Sequence, residues 1–278
     1  MTHPSSPEAA APARGARFCI LGVGPHLVAL DAGAVQEMFV LPAVHRLPGM
    51  PPHQRGVAVL RTGTLPAIDL RVCLGLPSAT AALDALIQLL RDREQDHRDW
   101  LAELAASVRE DRPFGLATDP HECKFGKWYY AFQTDDAVLR GQLERLEKPH
   151  AAIHALAAEV EALRGVGRAP EALQALEHAR QGLLAELVRL FEQLRSVVRA
   201  QHREIGVAIA GAGQAAVAIV DRAEAVSDLE VIEGGEDPLE TSHLGSALVA
   251  RTARWAAAKQ PVFVLDVARL AAGDSGRA

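Results

Sequence analysis

The stretch LPAIDLRVCLGLPSATAALDALIQLL (residues 65–90) changes texture partway along its length. Its first part, LPAIDL, is a short apolar run between turn formers, which predicts a β-strand. From Ser78 onward, Leu83, Leu86, Leu89 and Leu90 recur at spacings of three and four, the period of an amphipathic helix. Upstream, between Arg17 and Leu76, FCILGV, HLVAL and GVAVL read as strands, and Pro42, Pro48, Pro51 and Pro52 mark a loop. The helical texture lasts to about Ala200. Leu101 and Leu104 continue the first period, and Pro113 and Gly115 break it. Asp135 or Asp136 is placed to cap a helix through Val138, Leu139, Leu143 and Leu146. Gly165, Gly167 and Pro170 break it again, and a last helix carries the leucines from Leu173 to Val197. From Arg203 the strand texture returns as IGVAIA, AAVAIV, AVSDLEVI, ALVAR and PVFVLDV, with Gly234, Gly235 and Pro238 as separators. The order strands, helices, strands suits a helical domain inserted into a β domain. The expected divisions are a β half at 17–77, a helical insert at 78–202 and a second β half at 203–273, with tails at 1–16 and 274–278.

Composition narrows the function classes. The 278 residues are 49% hydrophobic and 23% charged, the balance of a globular protein. Aromatics at 4% and a formal net charge of -6 argue against a nucleic-acid surface, which needs cations and stacking rings. Residues 1–16 are rich in Pro, Ala and Ser and lack the apolar core of a secretory signal, so they read as a disordered tail. The most apolar stretch, Ile205 to Val220, is broken by Gly206, Gly211, Gly213 and Gln214 and reads as a β-hairpin, not a membrane span. Three scattered cysteines, Cys19, Cys73 and Cys123, form no disulfide framework. The expected location is the cytoplasm, without membrane insertion, where thiols stay reduced and can serve as metal ligands.

The insert holds His97, Cys123, His150 and His154, separated by 26, 27 and 4 residues. Histidines at i and i+4 on a helix lie about 40° apart around its axis, so both imidazoles can reach one ion. A third histidine and a thiolate from neighbouring helices would complete a tetrahedron suited to zinc. Taken singly, His97 reads as an exposed helix residue and Cys123 as a small buried hydrophobe, and His121 is a competing ligand. Gly126 would permit a close approach beside the metal, Trp100 and Trp128 would exclude water, and Lys124 and Lys127 would be solvated. Asp119 could reach Cys123 or a metal-bound histidine as an acceptor.

The elements His97-Arg-Asp-Trp100, Cys123-Lys-Phe-Gly126-Lys-Trp128 and His150-Ala-Ala-Ile-His154 together resemble the chemoreceptor zinc-binding (CZB) family over roughly residues 80–160. The resemblance implies an all-helical bundle in which one His, one Cys and two more His hold one zinc ion, here His97, Cys123, His150 and His154. It also implies a sensor of zinc or of oxidants acting through Cys123. The flanking segments are similar to the CheW family. Gly56-Val-Ala-Val-Leu60-Arg61 and Leu65-Pro66-Ala-Ile-Asp69-Leu-Arg71 followed by Leu74-Gly75 match its pattern, with Thr62 where that family usually has glycine. VAIVDRAEAV (217–226) and PVFVLDVARL (261–270) match its second half. That resemblance implies an α+β fold of two intertwined SH3-like β-barrels, interrupted here by the bundle.

The implied function is a chemotaxis adaptor that docks a CheA-type histidine kinase and chemoreceptor cytoplasmic tips. Arg61 and Arg71 are candidate partner contacts, against a solvated strand edge or a local ion pair. Asp69 and Asp221 read as turn holders. Four protein ligands would close the zinc sphere, whereas hydrolytic zinc keeps a position for water, so no enzyme is expected. The alternatives are a scaffold with a purely structural zinc and, third, a zinc hydrolase. The seam from Leu173 to Val197 could serve a homodimer or pack within its own bundle, and Arg180 in the seam favours the bundle.

Overall fold

The computed structural model describes residues 17–134, 136–232 and 248–273. The expected tails at 1–16 and 274–278, Asp135 and the separators Gly234, Gly235 and Pro238 lie outside the described residues. The chain begins with β1 (Arg17–Val23), β2 (His26–Asp31), β3 (Val35–Val40), β4 (Val44–His45), β5 (Gln54–Leu60), β6 (Gly63–Asp69) and the short helix α1 (Leu70–Cys73). The helices α2 (Ala79–Arg109), α3 (Lys124–Ala131), α4 (Ala137–Gly165), α5 (Ala169–Ala179) and α6 (Ala185–Gln201) follow. Strands then return as β7 (Ile205–Gly211), β8 (Gln214–Val220), β9 (Arg222–Asp228), β10 (Glu230–Val231), β11 (Val249–Arg254) and β12 (Val262–Leu265), and α7 (Val267–Ala271) closes the described chain. Two compact units result. One is built from both strand regions, up to Ala79 and from Arg203 onward; the other is Thr80–His202.

The β unit contains two six-stranded sheets, ordered β10-β11-β12-β2-β1-β9 and β3-β7-β8-β6-β5-β4. Each sheet takes a hairpin from one half of the chain and four strands from the other. The β1–β2 hairpin joins β9 to β12, and the β7–β8 hairpin joins β3 to β6. The two halves therefore follow the same path and exchange partners. Parallel pairings close each sheet, Leu27 opposite Val262 in one and Ala67 opposite Val217 in the other. The β7–β8 turn needs positive φ at both of its residues, which Ala212 (51°) and Gly213 (78°) supply.

Burial on both faces explains the unbroken apolar runs. Leu21, Val23, Val28 and Leu30 from the first sheet share a core with Ile68, Val207, Ala218 and Val220 from the second. The alternate residues Phe18, Ile20, Leu27 and Ala29 face a separate core, and Val217 and Ile219 face a third with Ala58 and Ala67. Strands buried on both sides read as continuous hydrophobic runs, not as alternation. Asp69 and Asp266 hold the matching corners, each accepting backbone N–H bonds at the first turn of α1 and α7.

The helical unit surrounds one core in which Ile87, Leu90, Leu104, Leu146, Ile153, Leu187, Phe191 and Leu194 are all buried. Asp136 caps α4 by accepting from the Val138 and Leu139 amides. Three expectations need correction. The run AVSDLEVI is not one strand: it breaks at Leu229, β9 pairing with β1 and β10 with β11. The loop holding the four prolines contains a two-residue strand, Val44–His45, paired to β5. The last helix is interrupted by a π turn at Arg180–Leu184. The buried positions run Ala172, Leu176, Ala179 and then Leu184, a step of five where an α-helix would step three or four. One extra residue per turn absorbs that step and returns Leu187, Leu190 and Leu194 to the core. The leucine seam is thus turned into its own bundle.

Candidate metal centre

Three helical elements bring His97, Cys123, His150 and His154 together, with one ligand atom from each lying within 4.8 Å of all the others. α2 supplies His97 and α4 supplies both other histidines from successive turns. Cys123 is the N-cap of α3, and its sulfur accepts from the Gly126 amide at 3.1 Å. A sulfur at a helix N-terminus faces unpaired N–H groups that favour its ionised form. The sulfur lies 3.2 Å from His150 Nε2 and 3.4 Å from the Pro120 carbonyl oxygen.

Gly126 has a specific steric reason. A Cβ there would stand 1.8 Å from the Pro120 carbonyl oxygen, so the chain preceding Cys123 closes directly over α3. Trp100 holds the other side of the same segment, its indole N–H donating to the Ala117 carbonyl at 2.8 Å, with its ring 4.9 Å from His154. Phe125 and Phe191 back His97 at ring distances of 5.6 and 6.0 Å. A cavity of about 270 Å³ reaches His97, Cys123 and His154 from the solvent side, past Asp96, Asp99 and Leu116.

The donor set fits zinc. His97 is 4% exposed, His150 0% and His154 2%, yet His97 Nε2, His150 Nδ1 and both His154 nitrogens have no hydrogen-bond partner. A metal takes the lone pair of one nitrogen per ring, here His97 Nε2, one nitrogen of His154 and, from its place 3.2 Å from the Cys123 sulfur, His150 Nε2. His97 Nδ1 donates to the Arg93 carbonyl at 2.6 Å, which leaves Nε2 free to coordinate. Tetrahedral zinc with these donors has ligand–ligand edges of about 3.3–3.6 Å, so a contraction of about 1 Å closes the set.

For the three histidines, electrostatics point the same way. Burial, then the neighbouring His97 and His154, pushes His150 down to about 3. Burial, then His97, pushes His154 down to about 4. Burial also lowers His97. These rings are neutral near pH 7, the form a metal requires. The Cys123 thiol is raised overall by burial, against the Gly126 and Phe125 amides, which pull it down.

The other expected residues divide. His121 lies outside the cluster and stacks on Tyr130 at 4.0 Å. Asp119 accepts from the His121 amide at 2.8 Å, so it holds the turn before Cys123 instead of backing a ligand. Lys124 and Lys127 are exposed and pair with Asp96 and Glu122 at 3.4 and 3.0 Å. Arg61 is exposed in the β5–β6 turn. Arg71 is occupied within the β unit, donating to Asp221 at 2.7 Å and to the Pro77 carbonyl at 2.8 Å. Asp221 also accepts from the Gly24 amide, so it does hold a turn.

Sequence reasoning missed two contributors. Pro149 lies inside α4 directly before His150 and removes the backbone bond to the Arg145 carbonyl beside the centre. Its signal was available, as a proline within an otherwise helical run. Phe191 gave none, because it sits on a different helix, 94 residues along the chain from His97.

Two family models match overlapping parts of the chain. Residues 17–108 match the CheW-like domain family, and residues 97–161 match the chemoreceptor zinc-binding domain family. Among solved structures, the scaffolding protein TtCheW from Thermoanaerobacter tengcongensis is similar at 11% identity and a TM-score of 0.40, over 92% of this chain and 91% of that one. No curated protein matches the chain. No helix among the described residues is long and apolar enough to cross a membrane. The chain carries a CheW-like domain and a chemoreceptor zinc-binding domain, the two matches overlapping at residues 97–108.

Proposed function

We propose that the chain is a chemotaxis adaptor whose output depends on a zinc ion held by His97, Cys123, His150 and His154. The β unit docks a CheA-type histidine kinase and chemoreceptor cytoplasmic tips, with Arg61 as an exposed contact. The helical unit supplies the input. When bound, zinc would bridge three helical elements through one thiolate and three imidazoles. This chain's residues do the rest: Arg93 orients His97, the α3 N-terminus stabilises the Cys123 thiolate, and Trp100, Phe125 and Phe191 limit water. The observation that carries the reading is the set of buried, unpartnered imidazole nitrogens beside a thiol at a helix N-terminus.

Cys123 is half-buried while the three histidines are buried. A thiolate there is open to oxidation, and an oxidised sulfur holds zinc less tightly. Loss of metal and oxidation therefore act in the same direction. Capture of the kinase by the purified adaptor, with and without a chelator, tests the input. Equal capture and equal kinase output in both states would leave zinc a purely structural role.

A further inference from the structure

We propose that Glu147, Tyr129 and Tyr130 form a binding site for a small methylated ammonium ion of the size of choline, separate from the metal centre and independent of the zinc reading. All of its residues belong to the helical unit. They line a cavity of about 510 Å³, inside the range of about 300–1,000 Å³ usual for small-molecule sites. Phe132, Leu143 and Glu144 line it too. The chain is only 4% aromatic and has two tyrosines, and both of them stand here.

The carboxylate of Glu147 is held in place. Tyr129 donates to one of its oxygens at 2.9 Å and Tyr130 to the other at 3.2 Å. Burial, and then Glu147 itself, raises both phenols, so they stay protonated and remain donors. The two rings have centroids 4.9 Å apart and planes at 81°, which makes them two walls of a corner. A cation within about 6 Å of such a ring is attracted by its quadrupole. The same corner therefore offers a fixed negative charge and two aromatic walls.

That charge has no counterpart in the chain. Glu144 and Glu147 lie three residues apart on α4, and neither is paired with a lysine or arginine among the described residues. Arg140 also lines the cavity and stands four residues before Glu144, the spacing of a helical ion pair, yet it donates to the Thr134 carbonyl at 3.1 Å instead. An anion would meet both carboxylates, so the ligand is a cation. The walls select among cations. A primary ammonium has N–H groups that lose their water against aromatic rings. A methylated ammonium has none to lose and presents methyl groups to the rings and to Leu143.

Calorimetric titration of the full chain tests the site with choline and with its uncharged carbon isostere, in which tert-butyl replaces trimethylammonium. The wild type binds choline about tenfold or more tightly than the isostere. Glu147→Gln retains the shape and loses the charge; choline affinity falls about tenfold, and its advantage over the isostere drops below about threefold. Tyr130→Leu, at an exposed position, weakens choline by about threefold or more, whereas Tyr130→Phe, which retains the ring, weakens it by less than about twofold. The Tyr130 pair decides the matter if Glu147→Gln fails to fold. A wild type that binds no choline, or binds choline and the isostere equally, overturns the proposal. So does wild-type choline affinity in Glu147→Gln or Tyr130→Leu, or a loss in Tyr130→Phe as large as in Tyr130→Leu.

Discussion

The sulfur of Cys123 lies 3.2 Å from Nε2 of His150, close to a tetrahedral ligand edge. Pro120 and Gly126 fix the segment around the sulfur, and the buried face of α4 fixes the ring. These supports set where the ligands stand, so perturbing them should change metal affinity.

Gly126→Ala forces the Pro120 carbonyl away and carries Cys123 with it. Zinc affinity should fall by about 10–100-fold, the range seen when supports around a metal site are lost. Helical-unit stability should fall by about 1–3 kcal/mol from overpacking. Competition with a chromophoric chelator, together with a urea titration, measures both. Wild-type affinity in the alanine variant would mean that the segment before Cys123 adapts freely.

Acid should weaken the metal-free protein in a defined window. In the unfolded chain histidine titrates near ~6.5. In the folded chain His154 accepts a proton only near about 4 and His150 near about 3. Below pH ~6.5 the unfolded chain therefore binds more protons than the folded one, and stability falls toward pH 4; above pH ~7 these rings contribute no slope. Urea midpoints of the chelator-treated protein across this range check the sign. No change from these rings across that range would show that they are solvated, and a midpoint that rises on acidification would show that their charged forms are stabilised in the fold.

Arg61 and Arg71 should separate. Arg71→Ala removes a partly buried pair and leaves Asp221 without its cation, at a cost of about 1–3 kcal/mol in β-unit stability. Arg61→Ala, on an exposed turn, should change stability by less than about 0.5 kcal/mol while weakening kinase capture. Thermal unfolding beside a capture assay distinguishes them. Equal stability losses would place Arg61 in the fold too.

Chelation should rearrange the helical unit without melting it. Its core holds Leu146, Ile153, Leu187 and Phe191 fully buried, an apolar contribution that does not come from the ion. Far-ultraviolet circular dichroism should therefore retain most of its helical signal after zinc removal. Loss of most of that signal would assign zinc the role of a staple.

Much of this was legible in the sequence because the signals are local. Strand runs such as FCILGV, the glycine-rich β7–β8 turn and the Asp136 cap depend on nearest neighbours. The i, i+4 spacing of His150 and His154 likewise places both rings on one face. What was hidden is long-range. No local pattern places Phe191 against His97, pairs Arg195 with Glu94 or turns Arg71 inward to Asp221. The exchange of strands between the sheets was hidden too, since identical hairpins could pair within their own half. The π turn left only a trace, because Arg180 interrupts the leucine seam where the register slips.

Cobalt substitution tests most directly whether Cys123 and three histidines hold one zinc ion. The wild type should take up one equivalent per chain, with the intense visible bands of a tetrahedral site and a thiolate charge-transfer band. Cys123→Ala should lose the charge-transfer band and His154→Ala should lose the tetrahedral intensity. A wild type that binds no stoichiometric metal, or a charge-transfer band that survives in Cys123→Ala, would contradict the account.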